Sequence, residues 1–490
     1  MIEDEKSLLP LVHFDADHTW QHLLELCPAY LDGGGKTRLE RLLGGTVATV
    51  GVEYHYIDKD YRDTFSGFHS KKFVTPSSRC IRLHFFRQQI AKAKLRASTI
   101  PDDAYVGYAV LRPTRPNCLG RTFLDPRRIS GVAGALCRCR ETVHVQGTAL
   151  QVEGFPFISQ DADATVCAES ATWMVLRYFS NRYPAYREVH PFQVTCATQN
   201  YAFGRRVYPS RGLELWQMAE TLRREGFSPM IYSRSSFPHI FEDLLYTYIE
   251  SGFPVFAGLA GHVVVAIGHR SDYTKIVPLG EAWTKTSHFN EAFVVNDDNS
   301  FPYQRIEREA KEGVSLVSPY RIEHIQAFAV PLPEKVFLSA EAFALLVQAL
   351  VLKDSKFGIA QQSAVLNQKP LLVRQFLTSC RSFKRSIHRR GMGSPLVAEI
   401  YHNLPLPHFI WVCELTTPDL YVAGAQRVLG EVIWDATRNP HEHAGFIAVH
   451  YPEKLWVDVG SAFNELQRFT EWPITDSVAY PLLRSNLVEI

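Results

Sequence analysis

The chain has 490 residues, of which 46% are hydrophobic and 21% are charged, and its formal net charge is +1. Single hydrophobic cores stop growing at roughly 250 to 300 residues, so we expect several domains. The composition is typical of globular proteins and excludes a compositionally disordered chain. A net charge near zero does not indicate nucleic acid or an anionic membrane surface as a partner.

The N-terminal segment and the cysteines bear on the cellular compartment. Residues 1–18 are acidic and lack the basic start and apolar stretch of a secretory signal. The longest apolar run, residues 252–268, is interrupted by Pro254 and His262 and is too short to form a spanning helix. Nine cysteines are spread along the chain without the spacing of a disulfide framework. We therefore expect a cytoplasmic protein with reduced thiols and no membrane segment.

The first third of the chain, residues 1–148, mixes a helical start with apolar runs that are divided by Gly and Pro. Apolar spacing predicts a helix near residues 19–26. Residues 47–56, 80–86 and 105–111 have the composition of strands. These patterns predict an N-terminal α+β domain.

The central part, residues 149–335, shows helical patterns first and strand patterns later. A helix is predicted over residues 236–251, and strands are predicted at residues 253–268, 292–296 and 326–330. This order predicts an α+β domain in which helices precede an antiparallel sheet.

The last part, residues 336–490, begins after a proline-marked boundary. Ser339 can cap the apolar helix that follows it. Strand-like runs at residues 409–415, 428–436 and 446–450 are separated by Pro, Gly and Asn. We therefore predict a C-terminal α+β domain with a small antiparallel sheet.

Basic residues are concentrated in residues 374–390, which include Arg381, Lys384, Arg385 and Arg390. A charge run of this kind is most often a solvated helix face. We predict such a face here, and a docking patch for an acidic partner is the alternative.

Two weaker motifs predict structural roles. Cys137 and Cys139 alternate on a predicted strand without a second cysteine pair at zinc-site spacing, so we interpret them as structural thiols. His441 and His443 follow Pro440 without an obvious set of further metal ligands, so we interpret them as part of a solvated loop.

The segment around Cys167 carries the strongest chemical signal. Apolar residues at helical spacing follow this cysteine, at positions 168, 171, 174, 175, 178 and 179. Cys167 is therefore predicted to lie at a helix N-terminus. Unpaired backbone N–H groups at such an end favour a thiolate, and a neighbouring imidazolium favours it further. Cys167 is thus a candidate nucleophile.

A histidine and an acidic strand end lie farther along the chain. His262 follows a glycine and begins a predicted buried strand, where small neighbours let a second segment approach its ring. A later apolar strand ends in Asn296, Asp297 and Asp298 before a turn. Such a strand end can supply the group that orients His262.

Three features follow one another along the chain: a helix that begins with Cys, Gly-His on a strand, and Asp or Asn at the end of the next strand. This order resembles the papain-like cysteine peptidase superfamily. The run Gly-His-Val-Val-Val-Ala-Ile-Gly at residues 261–268 is most similar to the bacterial peptidases that trim double-glycine leader peptides from bacteriocins. The resemblance implies a papain-like central domain, in which a helix carries Cys and an antiparallel sheet carries His and Asp. An α+β domain would flank it on each side.

The resemblance also implies roles for individual residues. Cys167 would be the nucleophile, His262 the general base and then acid, and Asp297 the carboxylate that fixes the imidazole tautomer. Asp298 and Asn296 are alternatives to Asp297. Gln160 would stabilise the oxyanion together with the backbone N–H of the nucleophile. The implied reaction is hydrolysis of a peptide or amide bond through an acyl-enzyme. Its substrate would be a protein or peptide, and it needs no metal or organic cofactor.

Two other functions fit the same residues. Transglutaminase-like proteins use the order Cys, His, Asp for transamidation or deamidation. A degenerate papain-like domain would instead serve as a binding module, with the flanking domains as its functional surfaces. Buried cysteines are usually inert core thiols, so the catalytic interpretation depends on Cys167, His262 and Asp297 as a set. The size of the flanking domains suggests a regulatory partner or ligand.

Overall fold

The computed structural model describes residues 2–3, 9–14, 20–163, 166–198, 213–275, 283–310, 316–351, 370–422, 426–439, 445–458, 469–475, 477–484 and 487–489. Within these ranges the protein is a mixed α+β structure with several sheets, which confirms the predicted class. The papain-like architecture of the central part stays a prediction. The loop with His441 and His443 lies outside the described residues. Along the described part of the chain, no helix has the length and apolarity needed to cross a membrane.

The first sheet has six strands that pair antiparallel in chain order, β1 to β6. Every residue of β4 and β5 is buried, and a hairpin of β8 and β9 packs against β5 and β6. The predicted N-terminal helix and the three predicted strands correspond to α1, β3, β4 and β5. The elements of this part are β1 (Ile2–Glu3), β2 (Leu11–His13), α1 (Trp20–Leu26), α2 (Gly33–Leu43), β3 (Thr49–Tyr56), α3 (Lys59–Gly67), β4 (Cys80–Phe86), α4 (Lys92–Arg96), β5 (Tyr105–Leu111), β6 (Leu119–Leu124), β7 (Ala135–Cys137), β8 (Cys139–Val145) and β9 (Thr148–Gly154).

Among its described residues, the central part begins with three helices and its sheet follows, except that a strand at residues 230–233 precedes the helix at residues 241–250. The predicted strand at residues 253–268 is two strands, which a two-residue turn joins before His262. Its sheet has the order β10-β17-β11-β12-β14-β15-β16, antiparallel except for the β15–β16 pair. The elements are α5 (Cys167–Arg182), α6 (Pro191–Thr198), α7 (Leu215–Arg224), β10 (Met230–Ser233), α8 (Phe241–Glu250), β11 (Val255–Leu259), β12 (His262–Ser271), β13 (Trp283–Lys285), β14 (Asn290–Asn296), β15 (Gln304–Glu307), β16 (Val317–Arg321) and β17 (Ala327–Val330).

The last part contributes a third sheet with the order β13-β18-β19-β21-β22-β23-β24. A separate apolar cluster that includes Phe376, Tyr401 and Ile433 packs within this part. The elements are α9 (Ala340–Val351), β18 (Leu371–Ser379), α10 (Cys380–Arg390), α11 (Pro395–Asn403), β19 (Phe409–Thr416), α12 (Pro418–Val422), β20 (Arg427–Val428), β21 (Gly430–Asp435), β22 (Phe446–Tyr451), β23 (Lys454–Asp458), β24 (Phe469–Pro473), β25 (Tyr480–Pro481) and β26 (Leu487–Glu489).

The three parts share strands. β13 of the central part pairs in parallel with β18 of the last part. β7 of the first part pairs with β12, and the C-terminal strand β26 pairs with β7. One apolar core also runs continuously from Leu9 to Leu487. The predicted domain boundaries at residues 148 and 335 stay predictions, and the segments on either side of them pack as neighbours.

The prediction of a solvated helix face at residues 374–390 is wrong for its two end residues. Arg374 lies on strand β18 and Arg390 at the end of α10, and both are buried. Each forms an ion pair with the fully buried Glu414. Arg381 and Arg385 are exposed, as predicted. Buried guanidinium groups require such carboxylate partners, which a one-dimensional charge pattern does not reveal.

Candidate active site

Cys167 is the first residue of α5, as predicted. The helix continues into the core, where residues 168–179 are all buried, and it packs against β12. Cys167 itself is partly exposed. A helix held along most of its length by packing has a fixed N-terminus. The sulfur is therefore presented at a defined position beside backbone N–H groups that have no partner within the helix.

His262 is the first residue of β12, directly after a tight hairpin turn. Leu259 pairs with His262, so the turn consists of two residues, and Gly261 in it has a φ of +69°. Two-residue hairpins need such positive φ values, which glycine adopts without strain. The imidazole Nε2 lies 2.9 Å from Oδ1 of Asp297. Nδ1 is thus the ring nitrogen left for the sulfur.

The Cys167 side chain lies close enough to the His262 imidazole to contribute to the pKa of that ring. Burial by itself lowers the pKa of His262, but Asp297 and Cys167 outweigh it and raise the pKa to about 10. The ring is therefore an imidazolium at neutral pH. A cation held beside a cysteine sulfur favours the thiolate over the thiol.

Of the three alternatives for the orienting group, Asp297 alone has an oxygen at hydrogen-bond distance from the imidazole. Oδ1 of Asp298 is 3.8 Å from Nε2 of His262. Asn296 is fully buried, and its side-chain oxygen accepts a hydrogen bond from the backbone N–H of Tyr303 at 3.1 Å. The geometry thus favours Asp297 for the role that the sequence left open.

Gln160 lies on the segment that precedes α5, and its side-chain amide donates to the side-chain oxygen of Asn299. The backbone N–H of Asn299 donates to Asp297 at 3.0 Å. The short loop after β14 therefore contains Asp297, the partner of His262, and also positions Gln160 through Asn299. Sequence reasoning missed Asn299. Its place two residues after an aspartate, where an Asx turn forms, was the available signal.

The first part of the chain holds the backbone around Gln160. Arg115 donates to the Gln160 carbonyl at 2.8 Å, and the buried Arg112 donates to the Ser159 carbonyl. The Ser159 N–H donates in turn to the carbonyl of Leu119 at 2.9 Å. The loop between β5 and β6 thus positions the segment that carries the predicted oxyanion donor, which ties the N-terminal sheet to the site.

Two groups of side chains in the described residues have the composition of metal ligands: His262 with Asp297 and Asp298, and Asp60 with Glu188 and His190. In the first, His262 uses Nε2 to donate to Asp297, and a protonated nitrogen has no lone pair for a metal. In the second, both carboxylates already pair with Arg121. Both groups therefore fit ion pairs better than a metal.

Asp298 is expected to make stability depend on pH. Burial raises its carboxyl pKa from 3.8 to about 7, and neither side-chain oxygen has a hydrogen-bond partner among the described residues. A raised pKa means that the folded state holds the proton more tightly than the unfolded state. This contribution to stability is complete below pH 3.8 and is lost as the pH rises through about 7.

We therefore expect Asp298→Asn to raise the free energy of unfolding at pH 8 by about 2 to 4 kcal/mol, and to change it little at pH 4. Urea denaturation of both proteins across this range measures the difference. Asp103→Asn, at an exposed position, is the control and should show no such trend. A difference of the same size at every pH would contradict the expectation.

Comparisons of the chain with models of protein families, with curated proteins and with solved structures found no match. The resemblance of the three motifs to papain-like peptidases thus remains a prediction. Functional interpretation of the site rests on its residues and their geometry.

Proposed function

We propose that the protein is a cysteine peptidase that hydrolyses peptide or amide bonds through Cys167, His262 and Asp297. The observation that carries the proposal is the contact of His262 with Asp297 at 2.9 Å, with Cys167 beside the same imidazole at the start of a buried helix. Buried cysteines differ from the partly exposed Cys167 in their surroundings. Burial raises the pKa of Cys27 and of Cys137 to about 12, which keeps both as inert thiols.

The proposed reaction forms and breaks one covalent bond to the enzyme. The Cys167 thiolate attacks the carbonyl carbon, and the carbonyl oxygen takes the electron pair. The Gln160 side chain and the Cys167 backbone N–H stabilise this oxyanion. The His262 imidazolium gives its proton to the amine as the C–N bond breaks, leaving a thioester. Water then attacks the thioester, gives a proton to His262, and releases the acid and the thiolate.

The proposal is tested by incubating the full-length protein with a proteome-derived peptide library and identifying new termini by mass spectrometry. We expect cleavage by the wild type and none by folded Cys167→Ala. A fluorescent primary amine in a parallel sample tests for acyl transfer, because a transglutaminase would attach it to glutamine side chains. Absence of both reactions in the folded wild type would favour the binding-module alternative.

Gln160 and Asn299 are expected to affect turnover more than substrate binding. Removing one oxyanion donor typically costs about 100-fold or more in kcat, so Gln160→Ala should lower kcat by that factor with little change in KM. Asn299→Ala should lower kcat by roughly tenfold, because the Gln160 amide then loses its positioning partner.

Steady-state kinetics on a peptide selected from the library measures these effects. The double variant should be no slower than Gln160→Ala, since both changes act through one side chain. Ser300→Ala, in the same loop, is the matched control. A change confined to KM in Gln160→Ala would contradict the assigned role.

A further inference from the structure

Strand β12 carries a second histidine, His269, which is not part of the proposed active site. Residues two apart on a strand project from the same face, so His269 and Ser271 are neighbours. The Ser271 hydroxyl lies 3.3 Å from Nδ1 of His269. On the other side of the ring, Nε2 of His269 contacts the carboxylate of Glu250, the last residue of α8. Serine, imidazole and carboxylate are thus connected in the order that activates a serine nucleophile.

Glu250 is held in a position that orients the ring of His269. Its Oε1 accepts from Nε of Arg374 at 2.5 Å, while its Oε2 contacts His269. Burial by itself raises the pKa of Glu250, but Arg374 and His269 outweigh it and lower the pKa to about 2. The carboxylate is therefore ionised and can only accept hydrogen bonds, so Nε2 of His269 carries a proton. In the neutral ring Nδ1 then has the lone pair that a base needs, and it faces Ser271.

The three side chains line a cavity of about 230 Å³, which none of the proposed peptidase residues lines. Ser271 is partly exposed, whereas His269 and Glu250 are buried. The nucleophile thus lies at the cavity surface with its base and the carboxylate behind it. A concave site that presents a nucleophile in this way is accessible to a substrate.

The rest of the cavity wall offers apolar surface and a hydroxyl group. Phe376, Leu482 and Leu487 contribute hydrocarbon surface, and Tyr273 lies in the same wall. Burial and then Glu250 raise the pKa of Tyr273, and Ser271 opposes this shift, so the two hydroxyl groups are close to each other. A neutral phenol can donate to an oxyanion that forms beside Ser271. The wall therefore suits a short apolar acyl group with its carbonyl near Tyr273.

We propose that Ser271, His269 and Glu250 form a second hydrolytic site, which cleaves small esters with an apolar acyl group. An ester is the expected class because an alcohol leaves more easily than an amine. The Ser271 oxygen attacks the carbonyl carbon, Nδ1 of His269 takes the hydroxyl proton, and the carbonyl oxygen takes the electron pair. The C–O bond to the alcohol then breaks, and the alcohol oxygen receives the proton from His269.

The acyl group stays on Ser271 until water removes it. Water attacks the acyl carbon and gives a proton to His269, the bond to the Ser271 oxygen breaks, and that oxygen takes the proton back. The products are a carboxylic acid and an alcohol, and water is the only co-reactant. Glu250 stabilises the imidazolium that forms in each half of the reaction.

A fluorophosphonate reagent tests the nucleophile in the full-length wild type, because such reagents bond to activated serines and not to ordinary ones. Mass spectrometry locates the adduct. We expect an adduct on Ser271, formed at least 100-fold more slowly in folded His269→Gln. Ser66, exposed on α3, is the internal control and should stay unlabelled. Absence of an adduct on Ser271 in the wild type, or equal labelling in folded His269→Gln, would overturn the proposal.

Ester hydrolysis tests the substrate class. Each protein compared carries Cys167→Ala, which removes the other proposed nucleophile. With 4-nitrophenyl butyrate, we expect nitrophenolate release to be at least tenfold slower after the further change Ser271→Ala, and unaffected by the further change Ser66→Ala. Equal rates in the three folded proteins would contradict the proposal. Since Cys167 is absent from all of them, the result is independent of the proposed peptidase activity.

Discussion

Replacing His262 by alanine is expected to slow the alkylation of Cys167 by iodoacetamide at pH 6 by roughly 100-fold. Burial opposes protonation of His262, yet Asp297 and Cys167 raise its pKa to about 10, so the imidazolium persists through neutral pH. This cation favours the thiolate beside it. Without this cation the sulfur loses the charge that stabilises its thiolate, and alkylation requires the thiolate.

The rate is measured by mass spectrometry of the Cys167 peptide at pH values from 5 to 9. We expect the rate of the wild type to exceed that of His262→Ala most at the acidic end of this range, where the imidazolium is fully protonated. Cys196 on α6 is exposed and provides an internal control, because its rate should be equal in both proteins. If Cys167 of the wild type reacted no faster than Cys196 at pH 6, an activated nucleophile would be excluded. The binding-module alternative would then be favoured.

The second large effect is expected from Glu414→Gln, which should lower the free energy of unfolding by about 3 to 5 kcal/mol. Glu414 is fully buried and accepts hydrogen bonds from Arg374 at 2.7 Å and from Arg390 at 2.9 Å. It also accepts from the backbone N–H of Leu483 at 2.6 Å. A neutral amide leaves both guanidinium groups with less compensating charge inside the protein, where solvent cannot replace it.

Urea denaturation at pH 7 measures this loss. Glu399→Gln, at an exposed position of α11, is the matched control and should change stability by less than about 0.5 kcal/mol. Near-wild-type stability of Glu414→Gln would show that water or local rearrangement compensates the two arginines. The same variant is expected to leave the pH profile of Cys167 alkylation unchanged, since the sulfur and His262 are not part of this ion-pair network.

Local patterns predicted the elements that carry the candidate site. The apolar spacing after Cys167 predicted α5, and the glycine before His262 with the apolar run after it predicted the start of β12. These signals are reliable because helix and strand periods are local properties of the chain. Strand pairing between distant segments is not local. The parallel pairing of β13 with β18 and the addition of β7 and β26 to the central sheet had no counterpart in the pattern.

The sequence by itself determined the α+β class, the helix that begins at Cys167, the strand that begins at His262 and the three candidates at the end of β14. Only the tertiary structure decided among those candidates, because the backbone after β14 directs Asp297 toward the imidazole and Asn296 toward Tyr303. It also placed Asn299 against Gln160. Neighbouring residues at a strand end point in different directions, and which one faces a partner depends on how separate segments pack.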